Sequence, residues 1–291
     1  MVVLVTGANG QLGQALQYIN SNYSDSSLKG EQTMQIQFHF CSSADLDITK
    51  KDDIEFVFNA IRPNFCVNAA AYTAVDKAET EEEKAHLINA IGSKNLAEVC
   101  KTFTTTLIHI STDFVFDGNK STPYLEEDKT NPQGVYGKTK NDGEQEIINV
   151  LEQHFIIRTS WLYSQFSNNF MKTMLKLARE RSTLSVVNDQ IGTPTHAVDL
   201  AEVIIKVILS NSKNFGIYHF SNEGSASWYD FAKKIFEINK IAIDLKPIPT
   251  SEFPTLAKRP KYSVLDKTKI KTELNISINS WQDSLEMHSL E

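Results

Sequence analysis

Two pentapeptides in this chain read almost alike: YGKTK at Tyr136 to Lys140 and YDFAK at Tyr229 to Lys233. In each, a tyrosine stands four residues before a lysine, so a helix would carry phenol and ammonium on one face about one turn apart. A free phenol has a pKa near ~10, and a neighbouring ammonium favours the phenolate, which makes the pair a proton donor closer to neutrality. Carbonyl reduction needs such a donor. Hydride arriving at carbon leaves negative charge on oxygen, which must be hydrogen-bonded and protonated as it forms.

Context separates the two. Tyr229 lies in SASWYDFAKKIFEINK, where Trp228, Phe231, Ile235 and Phe236 recur at helical spacing and Ser227 with Asp230 reads as a capped start. That tyrosine is an amphipathic-helix residue and Lys233 a solvated cation. Tyr136 instead follows the turn DKTNPQGV and opens a helix. Twenty-four residues before it, ISTDFVF puts Ser111, Thr112 and Asp113 at the carboxyl end of an apolar strand, the edge where ligands bind in open α/β sheets. Thr112 would hold the carbonyl oxygen, Tyr136 would protonate it, and Lys140 would lower the pKa of Tyr136 and reach the nicotinamide ribose.

The partner of that set is a glycine-rich turn. TGANGQLG, Thr6 to Gly13, follows the first strand and opens the first helix, the setting a dinucleotide turn requires. Gly7 makes the tight turn, Gly10 admits a pyrophosphate, and Gly13 permits close helix-to-strand packing. The helix amino terminus supplies free N–H groups. After the second strand, Cys41 to Ser43 offer neither a carboxylate for a ribose 2′-OH nor an arginine for a 2′-phosphate. Without the carboxylate's repulsion NADPH is favoured, with NADH left open.

The elements that must position these groups alternate along the chain. VVLVT (2 to 6), IQFHF (36 to 40), FCVNAAA (65 to 71), TTLIHIS (105 to 111) and HFIIRTS (154 to 160) read as strands, with helices near 11 to 20, 50 to 60, 80 to 102 and 137 to 152. This order predicts a Rossmann-type, doubly wound parallel sheet with a smaller C-terminal α/β lobe for the substrate. The dinucleotide domain would take residues 1 to 160 with parts of 188 to 220, and the substrate lobe 161 to 187 and 221 to 291. In the second part, helices are expected near 168 to 181, 198 to 210 and 228 to 239, and strands at 183 to 187 and 216 to 220. The polar stretch 20 to 35 reads as a long surface loop.

Composition narrows the classes further. The chain has 291 residues, 41 % of them hydrophobic and 22 % charged, and a formal net charge of −7. That balance suits a packed soluble core and argues against nucleic-acid or anionic-membrane partners. Three cysteines without C-x-x-C spacing fit a reducing compartment, and with no signal peptide or membrane span in view a cytoplasmic enzyme is expected.

The ordered set of the glycine turn, NAAAYTAVDKAE (68 to 79), LINAIGSKNLAE (87 to 98), STDFVFDG (111 to 118), VYGKTK (135 to 140), RTSWLY (158 to 163), NNF (168 to 170) and NDQIGTPT (188 to 195) resembles the extended short-chain dehydrogenase/reductases. Within them it is most similar to the dTDP-4-dehydrorhamnose reductase family. The likeness runs through Arg259 and Pro260. It implies reduction of the 4-keto group of dTDP-4-dehydro-L-rhamnose with NAD(P)H in dTDP-L-rhamnose biosynthesis. It also implies that Gly10, Gln11 and Leu12 face the pyrophosphate, Asp47 and Ile48 the adenine region, and Ala71, Tyr72 and Thr73 the middle of the cofactor, while Asp113 and Trp161 contact the sugar nucleotide. Some members carry an acidic side chain two residues past the third glycine that helps bind magnesium at a dimer contact. Here Ala15 stands there, so neither metal nor homodimer is carried over.

Related dehydratases and epimerases share the fold and the tyrosine-lysine pair. Dehydratases usually place a glutamate soon after the aspartate that follows the threonine, and here Phe114 follows Asp113. Two alternatives remain beside plain reduction of this sugar: a reductase or epimerase for another nucleotide sugar, and a non-catalytic NADP-binding regulatory subunit like the eukaryotic partner of methionine adenosyltransferase.

Overall fold

A computed structural model describes residues 1–23 and 36–288. Six parallel strands form the main sheet: β1 (Val2–Thr6), β2 (Gln37–Cys41), β3 (Phe65–Asn68), β4 (Thr106–Thr112), β5 (His154–Thr159) and β7 (Gly216–His219), in the spatial order β7-β5-β4-β3-β1-β2. The order reverses between β1 and β3, which opens a crevice at their carboxyl ends. The glycine turn leaves β1 at that crevice.

Side-chain alternation along the strands builds two cores. Val3 and Val5 of β1 face one way, against α1 (Gln11–Tyr23) and α6 (Ala197–Ser210). Leu4 faces the other, against α2 (Lys51–Ile61), α3 (Gly92–Phe103) and α4 (Val135–Val150). All three β1 side chains are fully buried, and each such aliphatic contributes about 1.5–3 kcal/mol. The sheet is thus covered on both faces and doubly wound, as the apolar strands predicted.

A third core gathers α5 (Phe170–Glu180), β6 (Thr183–Val187), α7 (Trp228–Ile238), β8 (Asp244–Ile248) and α8 (Trp281–Met287). β6 and β8 pair in parallel as a separate two-stranded sheet. α7 begins with the capping box anticipated from Ser227 and Asp230. Lys233 on it is exposed, so its ammonium faces water.

Several boundaries differ from expectation: β3 stops at Asn68 rather than 71, and the helix expected near 80 to 102 is interrupted by a π-turn at Leu87–Ile91. α1 runs to Tyr23, past the predicted loop start at residue 20; Leu16 and Ile19 pack in the first core and carry the helix onward. The rest of that predicted loop, from 24 to 35, lies outside the described residues.

Candidate active site

The glycine turn is built by exclusion. Gly7 has φ of 70°, and a Cβ there would lie 2.6 Å from the Ala69 carbonyl carbon. A Cβ on Gly13 would sit 2.4 Å from the Gly7 oxygen and 2.6 Å from that of Ala8. At Gly10 a Cβ would meet only the Gly7 oxygen, at 3.3 Å, so this corner of the turn faces open space. Gly13→Ala is therefore expected to destabilise the fold by about 1–3 kcal/mol through overpacking. Chemical denaturation measures it, and an unshifted midpoint would mean the turn has slack.

Gln11 ties this turn to the segment after β5. Its amide nitrogen donates to the Leu162 carbonyl at 3.1 Å, and its amide oxygen accepts from Ser164 Oγ and Asn169 Nδ2, each at 3.0 Å. Its side chain is thereby spent on structure, and its backbone N–H is what remains for a ligand. Leu12 and Ile48 likewise bury their side chains, in the first and second cores. Asp47 accepts from the Thr49 N–H at 3.0 Å and hydroxyl at 2.7 Å. Asp45 lies beyond β2, two residues past the segment 41 to 43, and its carboxylate accepts from the Ser42 N–H at 2.8 Å.

Ala71, Tyr72 and Thr73 leave the carboxyl end of β3. Asn89 clamps this segment: its Oδ1 accepts from the Tyr72 N–H at 2.8 Å, and its Nδ2 donates to the Tyr72 carbonyl and to Thr139 Oγ1, each at 3.1 Å. Asn89 sits in the π-helical turn Leu87–Ile91 that leads into α3, a register no helical periodicity announces. The Tyr72 hydroxyl donates to Glu81 at 3.0 Å, and Thr73 is exposed.

Across the crevice stands the predicted hydroxyl, phenol and ammonium set. Thr112 ends β4; its hydroxyl donates to Asp113 Oδ1 at 3.1 Å and accepts from the Phe114 N–H at 3.2 Å. Tyr136 lies in the first turn of α4, its ring edge-on to Phe114 at 5.6 Å. Burial pushes its phenol up to about 12, with a Thr112 hydrogen bond opposing and Asp113 adding to the rise. Burial pushes Asp113 up to about 6, with hydrogen bonds from Ser263 and Thr112 opposing. One carboxylate oxygen of Asp113, Oδ2, is buried without a protein partner.

Lys140, one turn along α4 from Tyr136, is 2 % exposed. Its Nζ donates to the Ile110 carbonyl at 2.6 Å and lies 3.1 Å from His109 Nε2. Burial pulls the ammonium down to about 8, the Glu144 carboxylate opposing. The expected lowering of the Tyr136 pKa by Lys140 is therefore not what this structure holds. Burial sets the shift, Lys140 is not among the groups that move the phenol, and the phenol stays protonated at neutral pH.

Behind Lys140, Glu144 and Arg158 form a buried ion pair at 2.7 Å, and the Ser111 hydroxyl donates to the same carboxylate. Trp161, in left-handed backbone with φ of 46°, stacks on Trp228 of α7 at 3.5 Å. It thereby joins the third core to the end of β5. Ala15 is fully buried in the first core. A cavity of about 730 Å³ lined by Lys101, His154, Lys213 and Gly216 lies at the amino ends of β5 and β7, away from this edge. Elsewhere His196, Asp199 and His288 place potential ligand atoms within 4.8 Å of one another. The two imidazoles stack in parallel at 4.0 Å, and His196 Nδ1 accepts from the Val198 N–H, so their in-plane lone pairs do not converge on one ion.

A doubly wound sheet, a dinucleotide-type glycine turn at its reversal point, and a Thr112, Tyr136 and Lys140 set on the facing edge define a reductase of the extended short-chain class. The family model described as RmlD substrate binding domain matches residues 1–289, and the chain belongs to that family. It is 41 % identical over 296 residues to the dTDP-4-dehydrorhamnose reductase of Aggregatibacter actinomycetemcomitans, covering 97 % of this chain and 96 % of that one. Among solved structures it is similar to the dTDP-4-dehydrorhamnose reductase of Clostridium acetobutylicum, at 43 % identity and TM-score 0.91 over 99 % of this chain and 98 % of that one. The Bacillus anthracis dTDP-4-dehydrorhamnose reductase, in complex with NADP, superposes with TM-score 0.90 at 40 % identity over 99 % of this chain and 98 % of that one. No helix among the described residues is long and apolar enough to cross a membrane.

Proposed function

We propose that this chain reduces the 4-keto group of dTDP-4-dehydro-L-rhamnose to give dTDP-L-rhamnose, with NADPH as the reductant. The observation that carries the reading is the Thr112 hydroxyl set against the Tyr136 phenol at the end of β4, in a chain whose relatives bear that activity in their names. The dinucleotide fits the residues present: the open corner at Gly10 leaves room for a pyrophosphate, and the start of α1 offers its free N–H groups. When bound, the cofactor supplies the hydride. The residues that would hold it are Gly7, Gly10 and Gly13, the backbones of Gln11 and Leu12, and the segment Ala71 to Thr73.

The protein's own work is then to orient and protonate. Thr112 would hold the ketone oxygen, and Tyr136 would pass it a proton as charge develops. A phenol held near 12 suits this direction of reaction, because an alkoxide is the stronger base and takes the proton downhill. Lys140 would then return a proton to the phenolate. Asp113 Oδ2, buried and unpartnered, is a ready acceptor for a sugar hydroxyl. Trp161 would border the sugar nucleotide from the lobe formed by 161 to 187 and 221 to 291.

NADPH consumption measured against a panel of nucleotide 4-keto sugars tests the reading. Turnover with dTDP-4-keto-6-deoxyhexoses and none without a keto sugar is the expected result. NADPH binding without turnover on any of them would favour a regulatory subunit instead.

A further inference from the structure

The sheet register lines up a polar row under the glycine turn that the reaction described above does not use. Thr6 pairs with Asn68, and Asn68 with His109, across β1, β3 and β4. All three are buried, His109 completely. Thr6 Oγ1 donates to Asn68 Oδ1 at 2.8 Å, Asn68 Nδ2 lies 3.0 Å from His109 Nδ1, and His109 Nε2 lies 3.1 Å from Lys140 Nζ. A continuous chain of hydrogen-bonding groups thus ends on the lysine.

Its polarity can be counted. The Ala70 N–H can only donate, and it lies 3.2 Å from Asn68 Oδ1, which turns the amide nitrogen of Asn68 toward His109. His109 Nδ1 is then an acceptor, and the neutral ring carries its proton on Nε2, facing Lys140. An ammonium has no lone pair to receive it. The row is satisfied throughout only when Lys140 is the neutral amine, which accepts from His109 while donating to the Ile110 carbonyl. For the ammonium, His109 must hold its proton on Nδ1 and Asn68 must reverse its amide. The Ala70 N–H then turns to Thr6 Oγ1, 3.4 Å away.

We propose that the row Thr6, Asn68 and His109 sets the charge of Lys140, with the tautomer of His109 and the amide of Asn68 reversing together as the lysine gains or loses its proton. His109 is on this view a positioning residue acting through Lys140. The idea rests on the catalytic assignment of Lys140 only in its consequence for turnover. Other groups bear on the pair. Glu144 on α4 favours the ammonium but is itself shared with Arg158 of β5 and Ser111 of β4, and Tyr136 lies one turn back on α4. His154 of β5 bears on the His109 ring, which burial and the Lys140 charge keep neutral. With Lys140 pulled down to about 8, both states lie within reach near neutral pH.

Nitrogen NMR of the histidine rings reads the tautomer directly, and the chain has only 7 histidines to resolve. In the wild type, His109 is expected to carry its proton on Nδ1 at low pH and on Nε2 at high pH without becoming charged, and Lys140→Met should abolish the change. In Asn68→Asp the carboxylate accepts from Nδ1 and frees Nε2 for the ammonium. His109 should then keep its proton on Nδ1 at every pH, because Nε2 accepts from the lysine in either charge state, and the basic limb of kcat/KM should rise by at least about one pH unit. A single tautomer across roughly pH 6 to 10 in the wild type, a range spanning the lysine's titration, would overturn the proposal. So would a switch in Lys140→Met. A tautomer locked on Nδ1 in Asn68→Asp while the kcat/KM profile stays put would uphold the row and refute the catalytic role of Lys140.

Discussion

Replacing Tyr136 by phenylalanine is expected to lower NADPH-dependent reduction of a dTDP-4-keto-6-deoxyhexose on the order of 10³-fold, the usual worth of a positioned general acid. NADPH affinity is expected to stay at the wild-type value. Phenylalanine keeps the edge-on contact with Phe114 at 5.6 Å and removes only the hydroxyl beside Thr112, so the loss should fall on kcat rather than on folding. Steady-state kinetics with parallel cofactor titration separates the two. Tyr229→Phe is the internal control: its lysine faces solvent and its helix belongs to the third core. Full turnover by the Tyr136 variant, or an equal loss in a folded Tyr229 variant, would sink the assignment.

The largest stability effect is expected at Glu144. Its carboxylate is fully buried and accepts from Arg158 Nε at 3.0 Å and Nη2 at 2.7 Å, with Ser111 as a third donor. Arg158 is itself 2 % exposed. Its guanidinium also donates to the Glu126 carbonyl at 3.3 Å and lies over the Phe116 ring. Glu144→Leu would strand that cation in the interior at a cost of about 3–5 kcal/mol. The double variant Glu144→Leu with Arg158→Leu should recover most of it, since two apolar side chains need no partner. Denaturant unfolding of the three variants gives the comparison. A single-variant loss below about 1 kcal/mol, the level of a surface pair, would show that water reaches the site.

These two predictions stand on residues of unequal legibility. Tyr136 could be chosen over Tyr229 without coordinates, because one follows a turn beside a hydroxyl-bearing strand end and the other sits on a capped amphipathic helix. Glu144 and Arg158 could not be paired that way. They are fourteen positions apart on a helix and a strand, and nothing local marks either charge as buried. Asn89 escaped for a similar reason, since its place as a clamp on Tyr72 depends on a π-turn inside a segment that reads as plain helix. By sequence, His109 is a single imidazole in the apolar run TTLIHIS. Its role appears only when register sets it beside Asn68.

The sequence by itself determined the strand and helix order, the double winding that follows from strands apolar on both faces, the glycine turn, and which tyrosine lies beside Thr112 at the end of β4. Those depend on local pattern and on the handedness rules of parallel sheets, both of which short stretches of chain carry. Only the tertiary structure decided the electrostatics. How deeply Tyr136, Asp113 and Lys140 are desolvated depends on what packs over them from distant segments. Burial there overrode the simple expectation that a lysine one turn away lowers the phenol's pKa. The donor and acceptor sense of the row beneath Lys140 was likewise fixed by strand register, which joins residues 6, 68 and 109 across three strands.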